Sequence, residues 1–120
     1  MKIDNIKNVI KFLEVSETYD QSNWAHDCGT PACIFGHAAA LNQNVETFDW
    51  DIIDFGYIQA SGTDYMGFTD RFDIVESLSR PYPLRDENAY HHPTNKQAIE
   101  VLNHLIETGE VDWGIISHGC

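Results

Sequence analysis

The run that begins at Thr94-Asn95-Lys96-Gln97 leaves this chain the least choice of fold. Threonine followed three residues later by glutamine is a capping box. Each side chain satisfies a backbone N–H that the other's end of the first turn leaves without a partner. Behind it Ala98, Val101, Leu102, Leu105 and Ile106 fall on one helical stripe, and Gly109 supplies a C-terminal stop. A second stripe, Ile6, Val9, Ile10 and Leu13, predicts helix from Asp4 to about Val15, capped by Asp4, with Lys7 and Lys11 outward. Two one-sided helices require a shared core. At 120 residues the chain reads as a single domain, 1–120, that buries enough surface to be stable without disulfides.

The middle of the chain fills in that core. Thr30 is a good N-cap residue and Pro31 suits a first helical position, so a helix is expected from Thr30 to about Asn42. Gly36 and Ala38-Ala39-Ala40 are small, which lets a neighbouring helix approach closely. This predicts the central, most buried helix, with Trp24 anchoring the preceding polar loop on the core. The apolar residues from Val45 to Gln59 fit no period well. They suggest helix from Asp51 to Met66, disrupted at Gly56 or Gly62 and stopped at Gly67. Thr69 should cap a short helix from Asp70 to about Ser79, with Phe72, Ile74, Val75 and Leu78 inward. Pro81, Pro83 and Pro93 make a loop of Arg80 to His92, and Trp113 and Ile115 should pack back on the core. The sum is an all-α, compact single domain of four to five helices with long loops.

Chemistry-bearing residues gather in His26-Asp27-Cys28-Gly29-Thr30-Pro31-Ala32-Cys33-Ile34-Phe35-Gly36-His37. Three readings compete. His26, Cys28, Cys33 and His37 are ligand types that zinc prefers, and the last two are one helical turn apart. Alternatively, Cys33 in a first helical turn is a thiol whose ionised form the helix dipole favours, with a histidine as base. The segment shares a little with the nucleophile region of papain-like peptidases, but its cysteine gap differs and no strand is expected to carry the histidine. On the third reading Trp24, Thr30, Pro31 and Gly36 form a capped, tightly packed structural turn, and no cofactor is needed. Asp49, Asp51 and Asp54 lack the regular spacing of a calcium loop, and no glycine-rich phosphate loop is present. An odd count of three cysteines and an N-terminus without a signal-like apolar stretch suggest a cytoplasmic protein.

Charge narrows the partners. The net charge is −12, and the stretch from Phe12 to Asp70 holds ten acids and no lysine or arginine. Such a field disfavours direct contact with nucleic acid or anionic membrane and attracts basic surfaces. Glu46, Asp49, Asp51 and Asp54 are the candidate docking residues, with Phe48, Trp50 or Phe55 as anchors between the charges; the competing reading is that these acids only keep the protein soluble and that Trp50 and Phe55 are core.

Trp24 followed by Cys28-Gly29-Thr30-x-x-Cys33-x-x-Gly36-His37-Ala38 resembles a group of small bacteriophage and bacterial proteins. These carry a Cys-Gly-Thr-x-x-Cys-x-x-Gly-(His or Trp)-Ala core, and their C-terminal part is similar to Thr94 to Trp113. The resemblance implies no activity. Tryptophan at the His37 position in that pattern favours a structural role for the motif over a metal. A phage origin would imply a non-enzymatic accessory protein, such as an inhibitor of host or defence machinery, that binds a host protein with a basic surface.

Overall fold

The computed structural model describes residues 1–21, 23–79 and 93–115. The expected loop from Arg80 to His92, and Ile116, His118 and Cys120, lie outside them. Among the described residues there are five α-helices, α1 (Ile3–Val15), α2 (Ile34–Gln43), α3 (Phe55–Met66), α4 (Phe72–Ser79) and α5 (Asn95–Thr108), followed by a 3-10 turn at Trp113–Ile115. The described residues contain no strand; Ala25 and Pro31 form an isolated antiparallel bridge. The chain is all-α, as its capped helices and apolar stripes require.

Helix α2 is the centre. Every residue from Ile34 to Ala40 is buried, because glycine and alanine let its neighbours close on all sides. Helix α3 lies across it. A Cβ at Gly62 would run into the Phe35 carbonyl, so only glycine allows this crossing. Asn42 reinforces the contact by donating its amide to the Ser61 carbonyl and hydroxyl at 3.2 and 3.0 Å. On another side α1 packs against α5 through Ile6, Val9, Leu13, Ala98, Val101, Leu102 and Leu105. The Asn95 amide ties the ends of these helices together. It donates to the Leu13 and Ser16 carbonyls at 3.0 Å each, satisfying groups that the end of α1 leaves open. Trp113 is 1% exposed and its indole N–H donates to the Ser77 carbonyl at 2.8 Å, which pins the 3-10 turn to α4.

Helix boundaries follow the caps. The Thr94–Gln97 capping box forms with both bonds, at 3.2 and 2.9 Å, and Gly109 ends α5 in the left-handed region at φ +79°. Gly67 ends α3 in the same way. Elsewhere the caps differ from expectation. Helix α1 begins at Ile3, one residue before Asp4, so Asp4 sits in the first turn and favours the dipole without capping it. Helix α3 begins at Phe55, not Asp51, because Asp54 accepts the Tyr57 N–H at 2.8 Å and the preceding residues form a separate turn. It is unbroken at both Gly56 and Gly62. Helix α4 opens at Phe72, with the Arg71 carbonyl accepting from Ile74 and Val75; Thr69 lies outside it and Phe72 points to solvent, 72% exposed.

The start of α2 is the main correction. Thr30 is not its cap and Pro31 is not its first residue. The chain stays extended through Cys33, which is itself the N-cap: its Sγ accepts the Gly36 N–H at 3.3 Å. Pro31 is held in the bridge to Ala25, and its carbonyl accepts the Thr18 hydroxyl at 2.6 Å. Among the described residues no helix is long and apolar enough to cross a membrane.

Candidate functional site

The turn from Trp24 to His37 is built by close approach. A Cβ at Gly36 would collide with the Trp24 carbonyl, so the loop lies directly on the α2 backbone there. Trp24 is half-buried, with its ring edge-on to Phe35 at 6.1 Å. The histidines and cysteines of this turn do not converge. His26 Nε2 donates to the Thr18 carbonyl at 2.7 Å. His37 Nδ1 lies 2.8 Å from the Cys33 carbonyl, one turn back on α2. A carbonyl only accepts, so the proton is on Nδ1. The bare Nε2 therefore accepts the Ser16 hydroxyl at 2.6 Å. Burial lowers the His37 pKa from its usual value to about 4, so the ring is neutral at pH 7. Burial likewise pushes the Cys33 thiol up to about 12. Cys28 is exposed, and its hydrogen bond with the Thr30 hydroxyl at 3.3 Å lowers its pKa. Among the described residues no three His, Cys, Asp or Glu side chains are arranged to hold a metal ion.

Sequence reasoning missed the Ser16–His37 pair, which comes from positions 21 residues apart. A serine and a neutral imidazole oriented by a third group is also a nucleophile–base geometry. Its surroundings oppose that chemistry. Ser16 is the C-cap of α1, at the negative end of the helix dipole, and Glu17 is next to it. An oxyanion forming there would meet negative charge where it needs donors. The pair is therefore read as the satisfied partner set of a buried histidine.

Across from this turn lies the acidic segment. Phe48 is 4% exposed and its N–H donates to the Gly29 carbonyl at 2.7 Å, so this residue is core and not an anchor for a partner. The chain then turns outward. The Asp49 carbonyl accepts from Ile52 and Ile53, and its side chain accepts the Asp51 N–H at 3.0 Å. The Trp50 indole donates to the Asp27 carbonyl at 3.0 Å and its ring meets Phe55 at 5.1 Å. That bond sets the direction of the ring without burying it. Trp50, Ile52, Phe55 and Tyr57 are 37, 79, 50 and 54% exposed. Asp49, Asp51 and Asp54 are exposed between them, and Glu46 precedes them. Thr47 to Asp51 border a hollow of about 480 Å³. The structure thus presents four large apolar side chains among carboxylates.

Comparison with known proteins returned no family model, no curated protein and no solved structure that matches this chain.

Proposed function

We propose that the protein is a non-enzymatic accessory protein, of the phage or mobile-element kind, that docks on a basic surface of a host protein. Trp50, Ile52, Phe55 and Tyr57, exposed among Asp49, Asp51 and Asp54, carry the reading. Aromatic side chains supply most of the energy of an interface when desolvated, and the surrounding charge selects and steers the partner. The partner is a protein with a basic surface, such as the nucleic-acid groove of a binding protein, since nucleic acid itself is repelled at a net charge of −12.

The test is affinity capture from a bacterial lysate over a salt series, with wild type, Asp49→Asn/Asp51→Asn/Asp54→Asn, and Trp50→Ala. Asparagine keeps the Asp54 cap and the Asp49 turn, because it offers the same accepting oxygen. The captured protein should carry a basic surface, leave the column as salt rises from about 0.1 to 0.5 M, and be lost with either variant. Capture that ignores salt and both replacements would show that these residues only keep the protein soluble.

A further inference from the structure

A groove of about 860 Å³ opens between the C-terminal ends of α1 and α2. We infer that it receives a lysine or arginine side chain from a basic peptide segment of the partner. The inference rests on the docking function proposed above and adds a second, more selective contact to it.

Three features of the groove fit that occupant. The C-caps of both helices, Ser16 and Asn44, line it, so the negative ends of two helix dipoles meet there. Neither helix has a basic residue in its last turn to offset that charge. Glu17 and Glu46, both exposed, stand on the same lining. The walls between these charges are apolar, from Phe12, Val15, Leu41 and Val45. An alkyl stem ending in a cation matches such a lining: the methylenes cover Val15, which is 76% exposed, while the charge reaches the carboxylates. Among the described residues, no lysine or arginine lines the groove. Glu46 runs through Thr47 directly into the turn that presents Trp50. One extended partner can therefore cover both, which favours a peptide segment over a free small cation.

The probe is an octapeptide of alternating lysine and alanine, added to the ¹⁵N-labelled full chain at low salt, with spermine as the small-cation comparison. Amide shifts should cluster at Ser16–Thr18 and Asn44–Glu46. Glu17→Gln/Glu46→Gln should bind about tenfold more weakly. Glu107→Gln/Glu110→Gln, at exposed sites in the last turn of α5 and just beyond it, should bind as wild type does. Shifts spread evenly over the acidic surface, or equal losses in the two double variants, overturn the groove. Spermine binding as tightly as the peptide overturns the choice of a peptide segment. Asp49→Asn/Asp51→Asn/Asp54→Asn separates this inference from the docking reading, because it should lose the captured partner and keep the groove shifts. Groove shifts with capture indifferent to that variant would sink the docking surface alone. Capture that depends on it without groove shifts would sink the groove alone.

Discussion

From Trp24 to His37 both histidines and the inner cysteine are tied into the fold, whereas from Trp50 to Tyr57 large apolar side chains stand in solvent. The two regions touch: Phe48 and Trp50 bond to the Gly29 and Asp27 carbonyls. In the first, the residue types that look like chemistry in the sequence are hydrogen-bonded into the fold. The second fits no regular period in the sequence, and in the structure it buries Phe48 while leaving Trp50, Ile52, Phe55 and Tyr57 exposed. A residue type suggests function only while its polar atoms are unspent. His37 has committed both ring nitrogens and Cys33 one of its sulfur lone pairs, but Ile52 and Tyr57 have committed little of their surface.

Thiol chemistry separates inner from outer most widely. The Cys28 thiol is exposed with its pKa lowered, while Cys33 is buried and pushed up to about 12. Iodoacetamide at pH 8, followed by peptide mass mapping, should modify Cys28 about a thousandfold faster than Cys33. Comparable rates in the native protein would mean that the turn opens readily.

Gly36→Ala tests the packing itself. The new Cβ would meet the Trp24 carbonyl, which is backbone and cannot swing aside. A loss of about 3 kcal/mol or more in urea unfolding is expected. A silent substitution would show that the loop does not rest on α2.

His37 gives the comparison a pH dependence. Its folded pKa of about 4 lies below the value near 6.5 of an unfolded histidine. As pH falls the unfolded chain takes up the proton first. The stability tied to neutral His37 is complete above about pH 6.5 and is lost as pH falls towards 4, by about 3 kcal/mol. Urea titrations at pH 7 and pH 5 should show part of this slope, and His37→Gln should flatten it. An unchanged slope in the variant would show that the proton-linked loss does not come from His37.

Thr30→Ala should have the smallest effect, about 0.5 kcal/mol or less, because the Thr30 hydroxyl bonds to the exposed Cys28 and caps no helix. It should also slow Cys28 alkylation, since the bond that lowers its pKa is gone. A loss near 1 kcal/mol, the value of a true cap, would restore Thr30 to that role.

The comparison also marks what the sequence could tell. Helix α5 was legible to the residue, because Thr94, Gln97 and Gly109 act through local bonds that any such run makes. The single all-α domain, the buried Trp113 and the stop at Gly67 were legible for similar reasons. The start of α2 was not, since Thr30-Pro31 carries the usual signal and a cysteine is a poor capping acceptor by comparison. A tertiary demand overrides the local one there: the chain must remain extended for Gly36 to lie over Trp24. The charge of the acidic segment was plain in the sequence. Which aromatic residues it buries was not, because Phe48 and Phe55 differ only in the direction the chain takes after the Phe48–Gly29 bond. The groove was illegible for a related reason, as its walls come from the ends of two helices separated along the chain.

The bonds from Asn95 to the Leu13 and Ser16 carbonyls have a consequence for synthesis on the ribosome. Helix α1 leaves the exit tunnel about eighty residues ahead of the helix that completes its sheltering face. During that interval Ile6, Val9 and Leu13 have α2 and α3 beside them but not α5, so a nascent chain arrested before Asn95 should expose an apolar stripe that chaperones recognise.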